Sequence, residues 1–240
     1  MAGHSKWANI KHRKEKADLK KGKMFSRVTK EIISAVKNGG GPDPKANARL
    51  RLALEKARAV NMPQDNIERN IKKASSQDQS DYFEMVYELY GHGGVGLIVD
   101  MMTDNRNRAA SDMRIATNKR GGSIANPGAV AFNFDRKGII HISAKDVIED
   151  ELFMVATEAG AEDFQKAEDI FIVITDPKDL FAVKEILEQK GVKVEEANLE
   201  MIPKSHVECD EETAKANWDL VEWLEALDDV DAVFHNMISK

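Results

Sequence analysis

The sequence predicts an α+β fold in three parts: a small N-terminal helical bundle, a mixed α and β body, and a ferredoxin-like unit inserted into that body. Three observations predict it. Apolar residues recur at helical spacing between Phe25 and Ala74, and the stretch from Gly138 follows a strand-helix-strand-strand-helix-strand order. The two signs of charge also divide along the chain. The overall net charge is -6, yet residues 1–75 hold 19 Lys+Arg against 7 Asp+Glu, a net of +12, and residues 76–240 carry a net of -18.

The elements follow in order. Residues 1–24 have little apolar periodicity and many basic side chains, which reads as an arm. From Phe25, the series Val28, Ile32, Ile33 and Val36 marks a helix that Asn38-Gly39-Gly40-Gly41-Pro42 ends. Asp43-Pro44 reads as an N-cap with proline at the first helical position, opening a helix with Leu50, Ala53, Leu54 and Ala57 on its buried stripe. Met62-Pro63 restarts the chain into a short helix anchored by Ile67, Ile71 and Ala74. The polar run from Ser75 to Ser80 reads as a linker.

Beyond it, Tyr82–Tyr90 and Val95–Met102 read as strands joined by a glycine-rich turn, Arg106–Lys119 as a helix and Val130–Phe134 as a further strand. The inserted unit reads as strand Ile139–Ile142, helix Asp146–Ala156, strands near Phe164 and Ile170–Ile174, helix Asp179–Gln189 and strand Val192–Leu199. Cys209–Leu227 is an acidic helix pattern, and Val233-Phe234 suits a last strand that completes the sheet begun at Tyr82. The expected domains are 1–75, then 81–135 together with 206–240, and 136–205.

Composition bounds the function. One cysteine, Cys209, permits no intramolecular disulfide and fits a reducing compartment. No apolar run approaches the roughly 18 residues of a membrane span, and no signal-peptide core is present, so a cytoplasmic protein with no membrane partner is expected. The six histidines are scattered, and His206 with Cys209 gives a single pair where a structural zinc needs two. Asp210-Glu211-Glu212 and Asp228-Asp229 read as solvated surface carboxylates rather than an ion site. Gly91-His92-Gly93-Gly94-Val95-Gly96 matches a dinucleotide fingerprint in form only, because a strand follows where a helix is required, and a hairpin turn is the expected role. No catalytic set, metal or cofactor is expected.

The chemistry lies in the basic part. Arg13, Lys16, Lys20, Lys23 and Arg27 follow steps of three and four, aligning on one face of a helix, and such a stripe repels itself until phosphates neutralise it. Trp7 and His12 interleave planar rings that suit unpaired bases. The expected nucleic-acid contacts are Lys6, Trp7, Lys11, His12, Arg13, Lys14, Lys16, Lys20, Lys21, Lys23, Arg27, Arg49, Arg51 and Arg58. The bland alternative is a solvated tail. The bundle also allows a helix-turn-helix reading, with Gln64, Asn66, Arg69, Asn70 and Lys73 exposed on the helix after Pro63 and with Asp65 and Glu68 counting against it. Asp104-Asn105-Arg106-Asn107-Arg108 reads as a capped helix start with surface ion pairs, and less strongly as a second anion contact.

The opening Met1-Ala2-Gly3-His4-Ser5-Lys6-Trp7-Ala8-Asn9-Ile10-Lys11-His12-Arg13-Lys14 resembles the hallmark of the YebC/PmpR family of probable transcriptional regulators. Lys21-Gly22-Lys23, Glu55-Lys56-Ala57-Arg58, Asn61-Met62-Pro63, Thr103 to Arg108 and Gly121-Gly122-Ser123 extend the resemblance over the whole chain. His92 stands where the family pattern would have proline. The resemblance implies a helical N-terminal domain with two ferredoxin-like α/β sandwich domains, a cytoplasmic protein without cofactor, and a non-enzymatic regulator of gene expression. Family members are described as DNA-binding transcriptional regulators, and relatives, including the mitochondrial translational activator of cytochrome c oxidase, are associated with ribosomes. The expected partner is therefore DNA, with ribosomal RNA as the alternative and basic proteins as a third class. The protein is expected to be a monomer.

Overall fold

The computed structural model describes residues 21–76, 81–145, 147–167 and 169–239. Among the described residues three helices come first: α1 (Lys21–Asn38), α2 (Ala48–Ala59) and α3 (Gln64–Ala74). Val28, Ile32, Ala35 and Val36 of α1 meet Leu50, Ala53 and Ala57 of α2 and Ile67 and Ala74 of α3 in one core. The spacing that predicted these helices is the spacing that buries them.

The start of α2 corrects the expected cap. Asp43 and Pro44 belong to a separate turn, in which the amides of Ala46 and Asn47 donate to the Asp43 carbonyl. Asn47 is the cap: its Oδ1 accepts from the Leu50 amide at 3.0 Å, and its Nδ2 donates to Ala35 O and Gly41 O, both at 2.8 Å. Fully buried, Asn47 closes the α1–α2 connection as well as starting a helix.

The body follows as β1 (Phe83–Tyr90), β2 (Gly96–Thr103), α4 (Arg106–Arg120), β3 (Ser123–Ile124), β4 (Phe134–Ser143), α5 (Glu149–Glu158), β5 (Asp163–Ala167), β6 (Ile170–Thr175), α6 (Leu180–Gln189), β7 (Val194–Pro203), β8 (Val207–Cys209), α7 (Glu211–Ala226), β9 (Val230–His235) and β10 (Met237–Ser239). One antiparallel sheet has the order β3-β1-β2-β9, and a second has the order β5-β6-β4-β7. The chain leaves the first sheet, builds all of the second, and returns to pair β9 with β2, so the second unit is an insertion. β8 and β10 form a short parallel pair.

Each sheet carries its helices on one face. Leu97, Val99 and Met101 of β2 pack against Met113 of α4 and Leu220 and Leu224 of α7. Ile140 and Ile142 of β4 pack against Leu152 of α5 and Leu180, Val183 and Leu187 of α6. In the inserted unit β6 lies between β5 and β4, the split β-α-β of a ferredoxin-like fold.

Between Gly91 and Val95 the β1–β2 hairpin turns through a short 3-10 segment, with Gly93 and Gly94 at φ of 66° and 79°. This is the turn expected of the glycine run. The strand expected at Val130–Phe134 is absent: Ala131–Asn133 forms a 3-10 turn, and β4 begins at Phe134. The cause lies forty residues away. The Glu88 carboxylate accepts from the amides of Gly128 at 2.5 Å, Val130 at 2.6 Å and Ala131 at 2.7 Å. Burial disfavours the charge on Glu88, and these three amides outweigh it, holding the carboxyl below its ordinary range.

Candidate nucleic-acid interface and its anchorage

Lys6, Trp7, Lys11, His12, Arg13, Lys14, Lys16 and Lys20 lie outside the described residues, and Lys21 and Lys23 fall in the first turn of α1 with their side chains outside them. Arg27, Arg49, Arg51 and Arg58 are described, and helix phase separates them. On α2, Arg49 and Lys56 lie seven residues apart on one side, and Arg51 and Arg58, also seven apart, lie on another.

The first side meets carboxylates of both the acidic body and the head itself. Arg49 pairs with Glu84 of β1, and Lys56 pairs with Glu31 of α1 at 2.9 Å. Glu55 pairs with Lys184 of α6 at 2.6 Å, joining α2 to the inserted unit. Arg27 of α1 stands 3.4 Å from Glu31 and 3.6 Å from Asp231 of β9. Arg27 and Arg49 therefore already face carboxylates.

The second side is open. Arg51 donates to the carbonyls of Pro44 at 2.8 Å and Lys45 at 3.0 Å, bracing the turn ahead of α2 while remaining exposed. Arg58 is exposed in the last turn of α2. On α3, Arg69, Lys72 and Lys73 are exposed opposite Ile67 and Ala74. Counting charge alone does not select these three, whereas their phase against the apolar stripe does. Asn70 donates to Thr29 of α1 at 3.3 Å, which removes it from the exposed set of the helix-turn-helix reading.

A buried ion network anchors the helical head to the body. Lys30, on the face of α1 away from the head core, donates to Asp229 Oδ1 at 2.9 Å, Asp228 O at 2.8 Å and Met102 O at 3.1 Å. The other Asp229 oxygen accepts from Thr103 Oγ1 at 2.8 Å and from Arg108 Nη2 at 2.8 Å. Burial disfavours the Asp229 charge, and the bonds from Lys30, Arg108 and Thr103 overcome it, so its carboxyl sits below the ordinary range. Among the described residues no side chain donates a hydrogen bond to Asp231, and Arg27 stands 3.6 Å away. Burial pushes its carboxyl up to about 6 despite the opposing field of Arg27.

The Asp104–Arg108 motif thus starts a helix and closes this clasp. Asn105 Oδ1 accepts from the amides of Asn107 at 3.1 Å and Arg108 at 3.0 Å, so the cap is satisfied internally. Arg108 also pairs with Asp104 at 2.7 Å, and Arg106 lies 4.2 Å over the Phe83 ring. These are the capped start and ion pairs of the plainer expectation, except that Asp229 is buried rather than superficial.

Head and both sheets enclose a groove of about 650 Å³, with Leu52, Met85, Val86, Phe181 and Leu199 on its apolar lining. Among the described residues no cluster of three or more His, Cys, Asp or Glu can hold a metal, and no helix is long and apolar enough to cross a membrane. Asp210 is the N-cap of α7, accepting from the Thr213 amide at 2.8 Å.

A basic helical head clasped to an acidic α+β body, with the third unit inserted in the second, defines a class of modular protein without a recognisable catalytic constellation among the described residues. The chain belongs to the TACO1/YebC family: residues 5–77 match the model for the TACO1/YebC N-terminal domain, and residues 82–237 match that for the second and third domain. It is 69% identical to a probable transcriptional regulatory protein of Protochlamydia amoebophila, over 99% of this chain and 96% of that one. It is 58% identical to one of Chlamydia trachomatis serovar L2, over 99% and 100%. The crystal structure of a conserved hypothetical protein from Aquifex aeolicus superposes with a TM-score of 0.85 at 44% identity, covering 93% of this chain and 92% of that one.

Proposed function

We propose that this protein is a non-enzymatic, cytoplasmic regulator of gene expression that binds nucleic acid through its head, with DNA and transcription as the setting. The observation that carries the reading is the +12 charge of residues 1–75 on a chain whose remainder is -18. Confining that charge to one end creates an oriented molecule: phosphates attract the head and repel the body. Lys6, Lys11, Arg13, Lys14, Lys16, Lys20, Lys21 and Lys23 supply the main contact, with Trp7 and His12 as stacking groups. Arg51 and Arg58, joined by Arg69, Lys72 and Lys73, extend the cationic surface. Arg27 and Arg49 orient the head by pairing with the body. The transcriptional setting is supported by the names that close relatives carry. The domains are taken as 1–75, 81–135 with 206–240, and 136–205, acting as a monomer.

Cross-linking in cells followed by sequencing of the attached nucleic acid tests this. DNA fragments are expected, and they should fall to background when Lys11, Arg13, Lys14 and Lys16 are replaced by alanine. Recovery of ribosomal RNA with the same dependence would move the function to translation, and recovery of neither would overturn it.

A further inference from the structure

The loop between β3 and β4 exposes its one large aromatic side chain, Phe132, which is 72% accessible. The segment that carries this ring is tied down on several sides. The Glu88 carboxylate ties the amides of Gly128, Val130 and Ala131. Tyr90 donates its hydroxyl to Ala129 O at 2.9 Å, Lys204 donates to Phe132 O at 3.1 Å, and Asn133 Oδ1 accepts from the amide and hydroxyl of Ser205 at 3.0 and 2.8 Å. Val130 beneath the ring's backbone is buried with Phe134, Ile98 and Phe234. The backbone is fixed from four directions, and the ring is left outside.

The surroundings of Phe132 restrict what can meet it. Residues 121–134 contain no ionisable side chain, although the rest of the body is dense in carboxylates. Lys204, half exposed, stands beside the loop and shares its charge with Asp135 at 3.0 Å. The loop's polar groups named above are already bonded within the protein, so what it offers outward is a flat apolar face beside the Lys204–Asp135 ion pair. Having no ionisable side chain of its own, the loop does not itself repel a phosphate chain, whereas the net charge of residues 76–240 is -18.

We propose that Phe132 is a stacking platform for an unpaired base, a second contact for the nucleic acid held by the head. The inference rests on the proposed nucleic-acid binding and adds to it a preference for single strands at this loop. A ring carried on a fixed backbone has only its side-chain rotation to lose on stacking, and base–aromatic stacking is sequence-tolerant.

The test uses the full chain with two labelled probes, a single-stranded DNA of about 20 nucleotides and the duplex of the same sequence, a length that exceeds typical single-strand site sizes. Phe132→Ala should weaken single-strand binding roughly 5- to 150-fold, the span of one stacked base, and leave duplex binding unchanged. The salt dependence of single-strand binding should keep its slope, because no phosphate contact is removed. Phe132→Trp should bind at least as tightly as the parent. Unchanged single-strand affinity in Phe132→Ala, equal losses on both probes, or a changed salt slope would overturn the platform while leaving the head's role intact. Failure of the parent chain to bind either probe at low ionic strength would remove the functional reading and this inference with it.

Discussion

Replacing Asp229 by alanine isolates the clasp. The Asp229 side chain is 6% accessible and that of Lys30 is 9%, so the substitution strands an ammonium group in the interior. Lys30 keeps the carbonyls of Met102 and Asp228 but loses the carboxylate that balances its charge. Arg108 loses less, being half exposed and still paired with Asp104. Breaking a buried pair from one side costs about 3–5 kcal/mol. For a chain of this size that corresponds to roughly 6–20 °C in Tm. Circular dichroism melts at pH 7 measure it. Adding Lys30→Met to Asp229→Ala removes the orphaned charge and should recover part of the loss. An Asp229→Ala protein within about 1 kcal/mol of the parent, or a double variant that sums the two single losses, would refute the reasoning. The pH dependence has a definite sign. A carboxyl held below its unfolded value stabilises fully above that value, near 4, and the contribution disappears as pH falls through the lower folded value.

Other consequences follow from the same contacts. Asp231 shows the opposite sign: with its folded carboxyl at about 6, the native state holds the proton longer than the unfolded chain, so its contribution to stability falls as pH rises from about 4 to about 6. Asp231→Asn should therefore be more stable than the parent at pH 7 by about 1–3 kcal/mol, with the advantage gone at pH 4 in denaturant titrations. Glu88→Ala leaves the amides of Gly128, Val130 and Ala131 without their acceptor, and a loss of at least about 2 kcal/mol is expected, with faster hydrogen exchange at those amides. Arg58→Ala should lower the salt slope of nucleic-acid binding by about 1 with no loss of stability, whereas Arg49→Ala should weaken the head–body contact and leave that slope unchanged.

Local pattern made the regular elements legible. The helical spacing of Val28, Ile32 and Val36 and the βαββαβ order after Gly138 depend on neighbours in sequence, and both reappear in the packing. Features set by distant partners were hidden. Val130 to Phe134 has strand composition, but Glu88 holds the loop in a 3-10 turn through amides that no pattern marks. At the start of α2, Asp43-Pro44 supplied a conventional signal, while Asn47 served both the helix and the Ala35 carbonyl. The candidate interface divides in the same way. Its basic character was evident from counting, but Arg49 and Arg51 look equivalent until the phase of α2 turns one toward Glu84 and the other toward solvent. Lys30 and Asp229 are 199 residues apart, and nothing local announces their bond.

Everything proposed for the head requires it to meet a polyphosphate, and a salt titration of the full chain on duplex DNA tests that most directly. The logarithm of affinity should fall linearly with the logarithm of salt, by about 0.9 for each phosphate neutralised, and Arg51→Ala with Arg58→Ala should flatten the line by about 2. No retention at low ionic strength, or an affinity indifferent to salt, would contradict it.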